Sequence, residues 1–198
     1  MSYEVAVLIG SLRDKSYNHR LALALQRLGP EDWEYVSVRL DEVPYYDQDE
    51  EKPAPASVER LKKTIEGADA LMFVTPEYNR SVPGVLKNAI DWASRPYGQN
   101  SFEGKPTLIA GTSPGNISTA VAQAHLRSIL AYLDVPTMAQ PEVYIAFQPD
   151  DLIDMDGNVT VPDTEEFLRG AMESFAEWIE MVRAGQASVE ADAKAEAS

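Results

Sequence analysis

The chain has 198 residues, of which 44% are hydrophobic and 25% charged, the composition of an ordinary soluble globular domain. Its formal net charge of -15 repels nucleic-acid phosphates and anionic lipid surfaces, so we expect neither nucleic acid nor membrane as a partner. No apolar run reaches the ~20 residues that span a bilayer, and no basic leader segment is present, so the sequence predicts a cytoplasmic protein. Because the chain has no Cys, any redox chemistry requires a bound cofactor.

Apolar runs and amphipathic stretches alternate along the chain, as strands and helices do in α/β proteins. The predicted strands cover residues 3–9, 33–40, 68–74, 105–110 and 142–147. The predicted helices follow them in turn, beginning near residues 16, 58, 83, 121 and 168. This rhythm predicts one doubly wound domain with a parallel sheet over residues 1–185. The small and polar residues of 186–198 predict a disordered acidic tail.

Ligands of doubly wound folds bind at the carboxyl ends of the strands, where three loops stand out in this sequence. The first follows the first strand and reads Gly-Ser-Leu-Arg-Asp-Lys-Ser-Tyr-Asn from position 10. Hydroxyl, guanidinium and amide donors at a helix start indicate a site for a single phosphate group. A simpler alternative is that Ser16 or Asn18 only caps the helix. The loop matches neither the nucleoside-triphosphate nor the dinucleotide glycine pattern.

The second loop, residues 75–84, lies between the third strand and a helix opened by Pro83. Its backbone groups and the ring of Tyr78 suit a planar ligand, although an ordinary strand-to-helix connection would look the same.

The third loop, residues 111–115, matches the G-x-S-x-G pattern of serine hydrolases. Pro114 has no N–H to serve as an oxyanion donor, which argues against that chemistry.

Metal ligation has little support in the sequence. Asp154, Asp156 and Asn158 resemble the start of a calcium loop, but Val159 occupies the position that requires glycine. The two histidines, His19 and His125, fall inside predicted helices and are interpreted as surface or packing residues. We therefore expect no metal site.

Taken together, the three loops resemble the NADPH-dependent FMN reductase family, a flavodoxin-like group that includes bacterial chromate, azo and quinone reductases. The resemblance runs from about residue 3 to 183. It is carried by GSLRDKSYNHRLA from position 10, by TPEYNRSVPGVLKNAIDWASRP from position 75 and by GTSPG from position 111. It implies a five-stranded sheet in the order 2-1-3-4-5.

The resemblance also implies how FMN is bound. The residues implied to hold its phosphate and ribityl chain are Ser11, Arg13, Ser16, Tyr17 and Asn18. Those implied to lie along its isoalloxazine ring are Pro76, Glu77, Tyr78 and Asn79, with Ser113, Pro114 and Gly115 closing the other side. Arg95 and Arg127 are implied at the rim of the site or at a subunit interface.

The implied activity is hydride transfer from NADPH or NADH through FMN to small acceptors such as quinones, and further to azo compounds, chromate or free flavin. No protein acid or base is required. The family implies a homodimer or homotetramer with FMN near the interface. One alternative is a flavodoxin-type electron carrier, which the acidic surface suits, although the loop with Arg13 differs from the Ser/Thr-rich phosphate loop of flavodoxins. The other is a non-catalytic flavin-binding module, which would use the same binding residues.

Overall fold

Five parallel strands form a single sheet in the computed structural model, which describes residues 2–196. The strands are β1 (Glu4–Ile9), β2 (Glu34–Ser37), β3 (Ala70–Val74), β4 (Thr107–Ser113) and β5 (Val143–Ala146). The helices are α1 (Tyr17–Leu28), α2 (Ala56–Gly67), α3 (Gly84–Ala93), α4 (Ala120–Tyr132) and α5 (Pro162–Glu196), with a short 3-10 turn at Gln48–Glu50. The spatial order β2-β1-β3-β4-β5 confirms the predicted single domain and flavodoxin-like topology.

Helices cover both faces of the sheet, which is why the central strands read as continuous apolar runs. Side chains of α1 and α5 pack with Val5, Val7 and Met72 on one face. Side chains of α2, α3 and α4 pack with Leu8 and Phe73 on the other. All five residues of β3 are fully buried, and the order of the strands changes direction between β1 and β3.

One strand boundary differs from its prediction in a way that affects the site. β4 continues beyond the predicted end at residue 110 to Ser113, because Gly111, Thr112 and Ser113 pair with β5. The first residues of the third loop are therefore held in the sheet ladder. The sequence alone gave no sign of this pairing because Gly and Ser favour turns.

The predicted disordered tail over 186–198 does not match the structure, in which α5 continues through Gly185 to Glu196. A single glycine in a helix costs only about 1 kcal/mol relative to alanine, and the residues after it are rich in the good helix formers Ala, Glu and Lys. Gln186 also donates a hydrogen bond of 2.6 Å to the carbonyl of Gly104. The last two predicted tail residues, 197–198, lie outside the described residues.

Membrane insertion was not expected. Between residues 2 and 196, no helix combines the length and apolar character needed to cross a bilayer.

Candidate functional site

The loops after β1, β3 and β4 converge at the carboxyl edge of the sheet. Close packing beneath them depends on small residues. A Cβ added to Gly111 would lie 2.4 Å from both the Thr75 carbonyl oxygen and the Thr119 hydroxyl, so the loops after β3 and β4 approach each other only because residue 111 is glycine.

The three loops enclose one cleft. Its lining residues are Ser11, Arg13, Ser16, Tyr17, Asn18, Pro76, Glu77, Tyr78, Thr112, Ser113 and Pro114. The structure thus brings together every predicted site residue except Asn79 and Gly115, which lie exposed at the tips of their loops. Thr112 is the addition that the sequence did not single out, because it lies in the strand extension that pairs with β5.

The α1 end of the cleft collects hydrogen-bond donors. Ser16 is the N-cap of α1, and its hydroxyl accepts a hydrogen bond of 3.2 Å from the Asn18 N–H. Arg13 is exposed, and its guanidinium donates to the Lys15 carbonyl and lies 5.1 Å from the centre of the Tyr17 ring. Within residues 2–196, Arg13 forms no ion pair, which leaves its charge available in a strongly acidic protein.

Two of the predicted ligands in this loop also have partners within the protein. The buried Asn18 amide donates to the Thr112 carbonyl at 2.9 Å and accepts from the Thr112 N–H at 3.0 Å. This pair of bonds fastens α1 to the end of β4. The Tyr17 ring stacks on Phe147 with 4.2 Å between ring centres, and the Arg13 guanidinium also lies over this ring. Both side chains shape the cleft.

Glu77 connects two walls of the cleft. Its side chain is only 7% exposed, and one carboxylate oxygen accepts hydrogen bonds of 3.0 Å from the N–H groups of Val121 and Ala122 in the first turn of α4. The other oxygen accepts a bond of 3.0 Å from Arg80. The sequence could not reveal these contacts, because no local spacing relates Glu77 to α4.

A tight turn follows Glu77. Tyr78 and Ser81 exchange two backbone hydrogen bonds of 3.0 Å, and the two residues between them, Asn79 and Arg80, have φ values of 51° and 65°. This is the geometry of a hairpin turn with left-handed central residues. Half of the Tyr78 side chain is exposed at the mouth of the cleft.

The opposite wall is formed by the loop after β4. The Ser113 hydroxyl donates to the Ser118 carbonyl at 3.0 Å and accepts from the Gly115 N–H. His125 lies 3.1 Å from the Ser81 hydroxyl rather than near Ser113, so the serine-hydrolase pattern has no histidine beside it. Pro114 presents an apolar ring to the cleft.

Other residues considered in the sequence lie elsewhere. Arg127 is half-buried on α4, where it donates a hydrogen bond of 2.8 Å to the Met138 carbonyl, and burial lowers its pKa. Arg95 lies after α3, next to a separate cavity behind Trp92. Neither lines the cleft. Among the described residues, no three His, Asp or Glu side chains are arranged to hold a metal ion.

Comparison with known proteins identifies the group to which the chain is related. The model of the family described as NADPH-dependent FMN reductase matches residues 3–150. The chain belongs to that family. This membership confirms the predicted oxidoreductase class, with FMN as cofactor and a reduced nicotinamide nucleotide as reductant.

Relatives of this FMN reductase family member align with 90% or more of its length. A 2-hydroxy-1,4-benzoquinone reductase of a Burkholderia species is 48% identical, with 90% of this chain and 97% of that protein aligned. A quinone reductase of Pseudomonas putida is 44% identical over 92% of this chain and 97% of the relative. The solved structure of FerB, a flavoenzyme NAD(P)H:acceptor oxidoreductase from Paracoccus denitrificans, superposes with a TM-score of 0.86 at 47% identity, covering 90% of this chain and 98% of FerB.

The chemistry of the cleft fits FMN. Arg13 and two serine hydroxyls provide donors that a phosphate dianion needs, and the positive N-terminal end of the α1 dipole lies beside them. Pro76, Tyr78 and Pro114 offer apolar surface to a planar ring on the opposite side. The cleft therefore has one polar, cationic end and one apolar end, as a flavin mononucleotide does.

Proposed function

We propose that this chain is an NAD(P)H:quinone oxidoreductase that holds FMN in the cleft between the loops after β1, β3 and β4. The observation that carries the proposal is the convergence of these three loops. Arg13, which pairs with no carboxylate in the described part of the chain, marks one end of the cleft, and apolar rings mark the other. The side chains that line this cleft support the following arrangement of FMN contacts.

At the phosphate end, Ser11, Arg13 and Ser16 would hold the phosphate, assisted by the N-terminal dipole of α1. Tyr17 and Asn18 would act mainly through structure, since the first supports Arg13 and the second binds the Thr112 backbone. At the ring end, Pro76 and Tyr78 from the loop after β3 and Ser113 and Pro114 from the end of β4 would line the space for the ring. Asn79 and Gly115 would contribute backbone groups from the rim.

Bound FMN supplies the redox chemistry, accepting a hydride equivalent from the nicotinamide and delivering two electrons to the acceptor. The protein's part is to bind and orient. Arg13 holds the phosphate, the two walls fix the plane of the ring, and the mouth beside Tyr78 admits first the nicotinamide and then the acceptor. Because both are planar and the entrance carries an exposed aromatic side chain, one position can serve both in turn.

The choice of quinones as acceptors rests on two lines of support. Proteins named as quinone reductases are 40 to 48% identical to this chain along almost its full length. The apolar surfaces of Pro76, Pro114 and Tyr78 also suit a flat, uncharged acceptor better than the anionic chromate, which an acidic protein repels. Azo compounds and free flavin are planar and remain secondary acceptors.

We extend the proposal to a homodimer or homotetramer in the cytoplasm, where reduced nicotinamide nucleotides are available. Each loop around the cleft carries one large apolar side chain that is about half exposed, namely Leu12 at 57%, Tyr78 at 52% and Ile117 at 51%. Apolar side chains gathered around one opening are typical of an interaction surface. A second copy of the chain would cover them and complete the mouth of the cleft.

A steady-state assay tests this function. The FMN-loaded protein is mixed with 1,4-benzoquinone and NADPH in one reaction, and with 1,4-benzoquinone and NADH in another. In each reaction, the amount of hydroquinone formed is compared with the amount of nucleotide consumed. We expect one hydroquinone per nucleotide oxidised. An electron carrier would oxidise neither nucleotide without a separate reductase, and a flavin-binding module would bind FMN without turnover.

A further inference from the structure

Glu77 has a buried carboxylate, and its hydrogen bonds to other described residues go to α4 and to Arg80. It accepts from two backbone N–H groups of α4 and from the Arg80 guanidinium, each at 3.0 Å. A buried charge with this many donors is well satisfied, and removing it would leave those donors unpaired. Besides lining the cleft, the Glu77 side chain therefore stabilises the contacts of its loop with α4 and with Arg80.

The first turn of α4 depends on this carboxylate. Thr119 occupies the N-cap position but caps nothing with its side chain, since its hydroxyl accepts a hydrogen bond from Gln123. The exposed N–H groups of a helix start need acceptors, and a negative charge there is favoured by the helix dipole. Glu77 supplies both from the neighbouring loop.

The turn after Glu77 places Arg80 so that its side chain pairs with the Glu77 carboxylate. Hairpin turns of this type prefer glycine at the second central position because its φ is positive, yet Arg80 occupies that position with φ of 65°. Its side chain forms the ion pair with Glu77, with the arginine 63% and the carboxylate 7% exposed. The strained backbone at Arg80 is accompanied by a specific contact that glycine could not make.

We propose that Glu77 is a positioning residue that sets the separation between the two walls of the flavin cleft. Glu77 lies between Pro76 and Tyr78 of one wall, and α4 continues directly from the loop that carries Ser113 and Pro114 in the other. Its carboxylate joins these two elements. A change in the spacing of the two walls would alter their contacts with a planar ring bound between them. Glu77 would therefore act on the ring indirectly, since its carboxylate contacts α4 and Arg80. This inference rests on the proposed binding of FMN.

The test compares Glu77→Ala and Glu77→Gln with the parent protein. Glu165→Ala is the matched control, because it removes an exposed acid whose partner Arg169 lies one turn along α5. Dissociation constants for FMN and riboflavin are measured by fluorescence quenching, and the unfolding of each flavin-free protein is measured separately. Hydrogen exchange at the Val121 and Ala122 amides reports whether the first turn of α4 has lost its acceptor.

We expect Glu77→Ala to weaken FMN and riboflavin by the same factor, about tenfold or more, because the two ligands share the ring and differ only in the phosphate. Glu77→Gln retains an oxygen that can accept the α4 hydrogen bonds, so it should stay within about threefold of the parent. Glu165→Ala should leave both constants unchanged. A residue that only stabilised the fold would lower the unfolding temperature of Glu77→Ala and leave both constants of the folded protein unaltered, which would overturn the inference.

Arg80→Gly provides a second test, because glycine suits the left-handed backbone and the variant folds without strain. Loss of the ion pair should weaken both flavins by a common factor of about threefold. Unchanged affinity for both flavins in Arg80→Gly and in a folded Glu77→Ala contradicts the positioning role. Failure of the parent protein to bind FMN would instead refute the proposed function.

Discussion

Replacing Arg13 with alanine should weaken FMN binding through the phosphate alone. The Arg13 guanidinium is held in place by the Lys15 carbonyl and by the Tyr17 ring, 5.1 Å from its centre. Because no described carboxylate pairs with it, the residue is preorganised to meet an anion rather than an internal partner. Preorganised donors lose little freedom when a ligand arrives.

The size of the effect follows from the exposure of Arg13. A hydrogen bond to a charged group contributes about 1.5–3 kcal/mol, and solvent screening at an exposed site favours the lower end. A loss of about 1.5 kcal/mol corresponds to roughly a tenfold increase in the FMN dissociation constant. The effect should shrink as salt is added.

Titrations of FMN and riboflavin into the flavin-free variants measure this effect. Arg13→Ala should bind riboflavin as tightly as the parent does, since riboflavin has no phosphate. Arg169→Ala, which removes the same charge from the exposed surface of α5, and Arg127→Ala should leave both affinities unchanged. Equal FMN affinity in Arg13→Ala and Arg127→Ala would refute the placement of the phosphate beside Arg13.

Three further predictions concern the scaffold. Lys62→Met should lower the unfolding free energy by about 2 kcal/mol in denaturant titrations, because Lys62 donates to three backbone carbonyls at and beyond the C-terminal end of α3. Lys63→Met, at an exposed position, should have little effect. Burial lowers the pKa of Lys62, so the unfolded chain binds more protons, and the difference between parent and Lys62→Met should grow from pH 7 towards pH 10. Gly111→Ala should destabilise the protein by about 1–3 kcal/mol through overpacking, whereas Gly170→Ala, with open space around it, should stabilise α5 by about 0.5–1 kcal/mol. Removing residues 187–198 should reduce helical circular dichroism and leave FMN affinity unchanged, because the described part of this segment is exposed.

The middle of the sheet could be predicted from the sequence because its three central strands, β1, β3 and β4, are buried on both faces. Runs such as Ala70–Val74 are apolar throughout, and each ends at a loop rich in Gly, Pro or Ser. The end of α5 could not be placed in the same way. Helix propensity continues beyond Gly185, while the absence of apolar residues there points to disorder, and sequence patterns do not decide between these opposing tendencies.

The loops that line the cleft could also be predicted from the sequence, but the contacts of each side chain could not. Parallel strands bring their carboxyl ends to one edge, so three loops quoted from the sequence had to meet there. The Thr112 backbone that Asn18 binds lies 94 positions away in the chain, and the α4 N–H groups that Glu77 binds lie 44 and 45 positions away. Contacts at that separation depend on the finished fold, so the sequence did not show that these polar residues also join neighbouring loops and helices.

Anaerobic spectroscopy of the FMN-loaded, desalted protein tests the central claim most directly. We predict that the flavin absorbance stays with the protein, bleaches on addition of NADPH or NADH, and returns when one equivalent of 1,4-benzoquinone is added. A flavin that both nucleotides leave oxidised, or a protein that retains no flavin after desalting and shows no turnover with added FMN, would contradict the assignment as a quinone reductase.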